Sequence, residues 1–164
     1  LDMRIVWILV AVILILAAGL FLLGQLGFLR GRTPSDLGVR DGRLKPPALP
    51  PNSVSSQADL YPKHPQQAFA SIQPLKFSGD ADQAMASLIA LLHNTKGMVV
   101  IAQEPEYVYA QSTTALLKFT DDVEFAVDRE AHVIHVRSAS RIGRKDFNVN
   151  RARVETIRAQ FEKN

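Results

Sequence analysis

The sequence has no cysteine among its 164 residues. This absence excludes disulfide bonds, cysteine metal sites, thiol nucleophiles and a lipid anchor on a cysteine side chain. A strong net charge is also missing, since 19 Lys and Arg against 16 Asp and Glu leave a formal charge of +3. A charge this small does not by itself indicate a nucleic-acid partner. The basic residues are nevertheless concentrated, with nine Lys and Arg against four Asp and Glu from Arg129 onward.

Charge is absent altogether from one long stretch near the N-terminus, residues 5–23. A helix of about 20 apolar residues crosses the hydrocarbon core of a bilayer. The stretch therefore predicts a single transmembrane helix within an anchor at residues 1–30. A cleaved signal peptide is the alternative, with Ala17 and Gly19 as the small residues beside the cleavage point. Cleavage there would leave the apolar residues 20–29 as an exposed terminus, which favours the uncleaved anchor.

The charges that flank the apolar stretch bear on which side of the membrane the rest of the chain lies. Arg4 precedes the stretch with Asp2 against it, whereas Arg30 and Arg32 follow directly. Because cytoplasmic flanks carry an excess of Lys and Arg, the positive-inside rule alone places the C-terminal part in the cytoplasm.

The next segment, residues 31–66, is rich in Pro, Gly and Ser, and its prolines cluster at positions 46, 47, 50 and 51. Proline removes a backbone donor and fixes φ, so no regular helix or sheet is expected here. We interpret the segment as a linker that becomes a stretch packed on the following domain. Disorder of residues 31–50 is the alternative.

Residues 67–164 have the patterns of one α+β domain. Asp80 is typical of a helix N-cap, and apolar residues follow it at helical spacing: Met85, Leu88, Ile89 and Leu92. A second helix is predicted over residues 149–161, and strands over 70–77, 98–103, 107–113, 116–127 and 133–141. Short connections favour antiparallel neighbours. The order β-α-β-β-β-β-α therefore predicts a single antiparallel sheet of about five strands with two helices on one face, behind the N-terminal transmembrane helix.

The last two predicted strands form a hairpin whose loop separates Val127 from His132. If those two residues pair, Phe125 and Val123 point to the buried face. The opposite face then carries two charged cross-strand pairs, Glu124 with His135 and Asp122 with Arg137. This strip is either a solvated face with surface ion pairs or a polar recognition surface.

Basic residues continue from this strip to the start of the last predicted helix. Free N–H groups at a helix N-terminus and guanidinium groups both bind anions. We therefore predict a site for a phosphate, a lipid headgroup or a carboxylate, formed by Arg137, Arg141, Arg144 and Arg151. A basic surface lying against anionic lipid, or a plain solvated face, is the alternative.

Residues that could carry catalysis are few. An enzyme would use Asp121, Asp122, Glu124 and His135 as acid–base groups, although ion pairing of these carboxylates with basic neighbours is the favoured interpretation. His132 and His135 point to opposite faces of a strand and do not simply share a metal. We predict no metal site and no cofactor, and we prefer a non-enzymatic role.

Five stretches are distinctive in their order and spacing: DLGVRDGRL (36–44), PPNSVSSQA (50–58), KFTDDVEF (118–125), VIHVRSASRIG (133–143) and DFNVNRARVE (146–155). They resemble the family called domain of unknown function 1499, over nearly everything after the apolar stretch. Members of that family occur in bacteria and photosynthetic organelles, often behind a hydrophobic N-terminus, and the resemblance implies no established activity. The family's recurring polar positions match Asp121, Asp122, Glu124, Arg137, Ser138, Ser140, Arg141, Asp146, Asn150 and Arg151.

The chain departs from this resemblance at one pair of positions. Many members carry a cysteine pair where Pro47 and Ser53 stand here. Such a pair implies an oxidising compartment for those members. This implication favours a periplasmic domain, against the positive-inside rule.

Taken together, these patterns predict a single-pass protein of a bacterial inner membrane with a binding or assembly domain in the periplasm. The expected partners are the lipid bilayer and an anionic ligand or a membrane protein, and no nucleic acid. An enzyme that acts on an envelope or lipid substrate and a structural partner of a membrane complex are the alternatives.

Overall fold

The computed structural model describes residues 2–163. Its elements, in chain order, are helix α1 (Met3–Gln25), strand β1 (Ser53–Ser55), a 3₁₀ turn (Ala58–Leu60), α2 (Gln67–Ala70), β2 (Leu75–Lys76), α3 (Ala81–His93), β3 (Met98–Glu104), β4 (Tyr107–Thr113), β5 (Thr120–Asp128), β6 (Val133–Ser140) and α4 (Val149–Phe161). The first helix thus precedes one α+β domain.

Helix α1 is long and apolar enough to span a membrane. Its 23 residues carry a stretch with a mean hydropathy of 3.1, none of which is buried inside the protein. At about 1.5 Å per residue the helix is roughly 35 Å long, which exceeds the hydrocarbon core of about 30 Å. The carboxylate of Asp2 caps its first turn by accepting a bond from the Arg4 amide.

The domain contains one antiparallel sheet of six strands. Its order is β1-β6-β5-β4-β3, and β2 pairs with the same outer edge of β6 as β1. Helices α3 and α4 pack on one face, and this confirms the predicted architecture. The sixth strand is β1, which lies in the segment where no strand was predicted, whereas β2 corresponds to the strand predicted over residues 70–77.

The hydrophobic core lies between the sheet and the two long helices. Leu88 and Leu92 of α3 and Ile157 of α4 pack over Phe125 and Val136 of the central strands, and all five are almost fully buried. Each such side chain contributes roughly 1.5–3 kcal/mol relative to an exposed one. Asp80 begins α3 by accepting a bond from the Gln83 amide, as its position before the apolar pattern predicts.

Two predicted strands are shorter in the structure. The strand expected over residues 70–77 is reduced to β2, because α2 occupies its start and Pro74 directly precedes the two paired residues. The strand expected from residue 116 begins only at Thr120. Residues 114–119 instead form a loop closed by the bond from the Thr114 amide to the Phe119 carbonyl, with Lys118 in the left-handed region at φ 59°.

The proline-rich segment is packed on the domain. The amide of Gly38 donates to Glu124 Oε1 and that of Leu44 donates to Gln57 Oε1, each at 2.8 Å. The expectation of no regular structure is wrong for residues 53–60, which contain β1 and the 3₁₀ turn. The clustered prolines end at Pro51, so the next residues are free to pair with β6. The segment before them covers the face of the sheet that the helices leave open.

In the β5–β6 hairpin, each β5 residue pairs with a β6 residue two positions later than predicted. Asp128 pairs with Val133, because its carboxylate accepts a bond from the Ala131 amide and His132 adopts a left-handed φ of 52°. The expected pairs of Glu124 with His135 and of Asp122 with Arg137 are therefore wrong. The pairs in the structure are Glu124 with Arg137 and Asp122 with Ala139. Each side chain keeps its predicted face, since the partner moves by two residues.

Candidate functional site

Four charged residues on the sheet face away from the helices form what we call the buried strip: Asp122, Glu124, Arg137 and Arg141. Strand alternation places Asp122, Glu124 and Arg137 on one face of β5 and β6, and Arg141 follows just after the end of β6. Glu124 is 0% exposed and Asp122 is 2% exposed. The strip is therefore not the solvated face that the charge pattern alone favours.

Arg137 and Glu124 form the centre of the buried strip. Their side chains approach to 3.3 Å between Nη1 and Oε2. The other Glu124 oxygen accepts bonds from Tyr107 Oη at 2.9 Å and from the Gly38 amide. Arg137 Nε also donates to the carbonyl of Pro46 at 3.2 Å. Burial lowers the pKa of Arg137, although Glu124 opposes that shift. The pair thus joins three strands to the covering segment.

Arg141 and Asp122 form a second pair with two-pronged geometry. Arg141 donates from Nε to Oδ2 at 2.9 Å and from Nη2 to Oδ1 at 2.7 Å. Tyr109 Oη donates to the same carboxylate at 2.5 Å. The hydrogen bond to Asp122 raises the pKa of Arg141, and burial raises the pKa of the Tyr109 phenol. The Arg141 guanidinium and the Asp122 carboxylate are therefore paired with each other inside the protein.

A separate polar cluster lies on the helix side of the sheet. Asp121 accepts a bond from Arg153 Nη2 at 2.6 Å, and the other Arg153 nitrogen donates to Ser138 Oγ and Asn150 Oδ1. Asn150 Nδ2 donates in turn to Ser140 Oγ at 2.9 Å. This cluster fastens α4 to β5 and β6. Arg153 was not among the predicted site residues, although its spacing of three from Asn150 places both on one helix face.

The four predicted ligand-binding arginines have different surroundings. Arg137 and Arg141 are enclosed in the buried strip. Arg151 donates to the backbone carbonyls of Phe69 and Ser71. Arg144 alone has an exposed side chain. The N-terminus of α4 is itself occupied, because the Asp146 carboxylate accepts the amides of residues 148 and 150.

The four predicted acid–base residues are not brought together. Asp121 lies on the helix side, while Asp122 and Glu124 are enclosed on the opposite side. His135 lies further along that side, with Nδ1 3.2 Å from Ser56 Oγ and Nε2 3.9 Å from Asp128 Oδ2. The hollow beside His135 is lined by acidic residues from the β3–β4 and β5–β6 turns. Within residues 2–163, no group of three His, Asp or Glu side chains is arranged to hold a metal ion.

One end of the sheet rests on the end of α1, and we call it the anchor end. It is formed by the β4–β5 loop (114–119) and the β6–α4 loop (141–148). Gln25 Nε2 donates to the Leu116 carbonyl at 2.9 Å. Gly24 packs so closely that a Cβ there would lie 2.7 Å from the Leu117 carbonyl oxygen. The loops of the anchor end therefore lie where α1 would leave a bilayer.

The two ends of the sheet carry opposite charge. The anchor end presents cations: Lys96, Lys118, Arg144 and Lys145. The opposite end is mainly acidic, with Glu104, Glu106, Asp128 and Glu130 in its two turns. The anchor end also exposes apolar side chains, namely Leu116 at 65%, Ile142 at 44% and Phe147 at 88%. Exposed apolar groups among cations are typical of surfaces that contact membranes.

A family model described as "Protein of unknown function (DUF1499)" matches residues 43–161. The chain belongs to this family. No curated protein and no solved structure matches it. The DUF1499 region contains the whole sheet, the buried strip and the helix-side cluster. Most of the polar residues that carry the family resemblance thus lie in networks that hold the domain together.

The buried pair of Arg137 and Glu124 leads to a prediction about the stability of the DUF1499 domain. Arg137→Ala leaves the buried Glu124 carboxylate without its cation, so we expect the free energy of unfolding to fall by roughly 3–5 kcal/mol. Denaturant unfolding of the full chain in detergent micelles measures this change. Arg129→Ala is the matched control, since Arg129 forms exposed pairs with Asp82 and Glu106. Equal stability of the two variants would contradict a structural role for the pair.

The surroundings of His135 lead to a prediction about how the free energy of unfolding depends on pH. Burial lowers its pKa in the folded protein, while the nearby Asp128 acts in the opposite direction. As the pH falls below about 6.5, the unfolded state therefore binds the proton first and the free energy of unfolding decreases. We expect His135→Asn to lose less stability than the parent between about pH 6.5 and pH 5. Denaturant unfolding at several pH values tests this, and parallel curves would refute it.

Proposed function

We propose that this protein is a single-pass membrane protein whose DUF1499 domain is a non-enzymatic binding module for anionic groups at the membrane surface. The anionic headgroups of the surrounding lipids are the first candidates. The observation that carries this proposal is the position of the exposed cations, which lie on the end of the domain that rests on α1.

The electrostatics at the anchor end support this role. Arg30 and Arg32 lie five and seven residues after the end of α1, and Lys118, Arg144 and Lys145 lie on the loops beside it. Each Lys or Arg close to an anionic surface contributes about 1 kcal/mol of attraction. The acidic turns lie at the other end of the sheet, so an anionic surface would repel the domain if that end faced it.

The predicted ligand-binding arginines then take different parts in the site. Arg144 is the one that contacts an anion, together with Lys145. Arg141 holds the first residues of the same loop by its bonds to Asp122, and Arg151 holds the backbone of the neighbouring residues 69–71. Arg137 acts at a greater distance, by fixing the covering segment to the sheet.

An enzyme receives less support from the same geometry. Acid–base catalysis needs groups that reach a substrate. Asp122 and Glu124 are buried and fully engaged in hydrogen bonds, and Asp121 pairs with Arg153 on the other side of the sheet. A binding module requires none of these side chains to be accessible.

We further propose that the domain lies in the periplasm of a bacterial cell. The Ala48 amide donates to Ser53 Oγ at 2.8 Å, so the ends of the loop 47–53 lie close together. A cysteine pair at positions 47 and 53, as in many members of the family, would close the same loop and would require an oxidising compartment. In this chain a hydrogen bond closes it instead.

The periplasmic location can be tested by thiol labelling. The parent has no cysteine, so Glu130→Cys places the only thiol in an exposed turn far from the anchor end. We expect a membrane-impermeant maleimide to label this variant in cells whose outer membrane alone has been permeabilised. The cysteine-free parent and fully lysed cells are the controls. Labelling only after complete lysis would place the domain in the cytoplasm.

Lipid recognition can be tested by native mass spectrometry of the detergent-solubilised full chain. We expect the parent to retain phosphatidylglycerol in preference to phosphatidylcholine, and Arg144→Gln/Lys145→Gln to lose most of that preference. Since contacts to phosphate are electrostatic, added salt should weaken the binding. Lys76→Gln/Lys163→Gln is the matched control, because it removes the same charge from the opposite end. Equal retention by both variants would disprove the role of the anchor end.

A further inference from the structure

Phe147 is the most exposed large apolar residue of the domain, at 88%. It also has a left-handed backbone, with φ at 51°, and Asn148 follows at 66°. Asparagine tolerates this conformation, whereas a bulky side chain such as phenylalanine rarely adopts it. The chain therefore holds an aromatic ring in solvent at a strained position. Such strain is retained where the position has a use.

The surroundings of Phe147 combine cations with an open hollow. Arg144 and Lys145 precede it, and together with Pro51 these residues line an open hollow of about 540 Å³ beside the ring. An aromatic ring flanked by cations is the arrangement that side chains adopt at the headgroup level of a bilayer. The ring then lies against acyl chains while the cations remain with the phosphates.

The position of this loop in the fold identifies the surface that it meets. Ile142, at the start of this loop, packs against Gly31 in the chain that follows α1. A Cβ at Gly31 would lie 3.0 Å from Ile142 Cγ1. The exposed Leu116 lies on the loop that contacts the last residues of α1. Both loops therefore contact the chain at or shortly after the end of α1.

We infer that Phe147, with Ile142 and Leu116, enters the bilayer interface and forms a second membrane contact of this protein. Arg144 and Lys145 bind headgroup phosphates directly above the inserted ring. The inference rests on the proposed function, because both require the anchor end to face the bilayer. It adds that the domain is fixed in one orientation, with its acidic turns directed away from the membrane.

Tryptophan fluorescence of the full chain in lipid nanodiscs tests this insertion. Trp7 in α1 is the only native tryptophan, so Trp7→Phe gives a silent background. Phe147→Trp then reports the loop, and Glu130→Trp in the acidic turn is the matched control. The nanodiscs contain phosphatidylcholine and phosphatidylglycerol, with or without bromine on the acyl chains. Thermal unfolding confirms that each variant is folded.

We expect the indole at position 147 to emit at shorter wavelength than the one at position 130, and brominated chains to quench it several times more strongly. Equal emission and equal quenching at the two positions would overturn the insertion. If the position 147 indole is not quenched but phosphatidylglycerol retention still depends on Arg144 and Lys145, the insertion fails and the proposed function stands. Quenching without any such dependence would retain the insertion and overturn the headgroup role.

Discussion

The buried ion pair of Arg137 and Glu124 is the interaction on which the arrangement of this domain depends. A buried charge requires a partner and further hydrogen bonds, or its desolvation destabilises the fold. Glu124 receives those bonds from Tyr107 on β4 and from the amide of Gly38, and Arg137 donates to the carbonyl of Pro46. The pair can thus be satisfied only when the segment before β1 lies across the sheet.

This requirement gives the sheet two covered faces of different chemistry. Antiparallel sheets usually bury one face and leave the other in water. Here residues 120–126 of β5 are buried without alternation, although residues 122–125 alternate between acidic and apolar side chains. The apolar face is covered by α3 and α4, and the charged face by the segment 36–48 and its backbone groups. Polar groups from both sides therefore become part of the interior.

The sequence predicted one of these faces far better than the other. Helix α3, helix α4 and the core strands have regular periodicity, and an N-cap residue marks the start of α3, so local patterns are sufficient. The covering segment has no periodicity, and its contacts join residues separated by more than 80 positions along the chain. The error in the predicted register of the β5–β6 hairpin has a similar origin. A single bond from the Ala131 amide to the Asp128 carboxylate closes the loop so that Asp128 pairs with Val133, instead of Val127 with His132. Burial of the charged strip could not be predicted, since a solvated strip and a covered one have the same alternation.

The surroundings of the predicted site residues could not be read from the sequence for the same reason. Four arginines near the last helix were predicted to form one anion site, but their individual partners depend on long-range contacts. Arg141 is bound by a carboxylate on the neighbouring strand, whereas Arg144, three residues later, is exposed. Local sequence contains no signal that separates them. Both arginines follow the end of β6 at Ser140, but the Arg141 amide still donates to the Thr120 carbonyl on β5, which places its side chain beside Asp122.

The exposed loop of the anchor end is itself a consequence of the buried helix-side cluster. Asn150 must lie inside to reach Ser140, and Asp146 must turn back to accept the amides of residues 148 and 150. Between residues 146 and 150, which are both buried, the chain takes two left-handed positions, Phe147 and Asn148. Phe147 is pushed outward at the first of them. The exposed surface of the anchor end is thus shaped from within, because Asp146 and Asn150, two of the polar residues that carry the family resemblance, fix the course of the loop that bears Phe147.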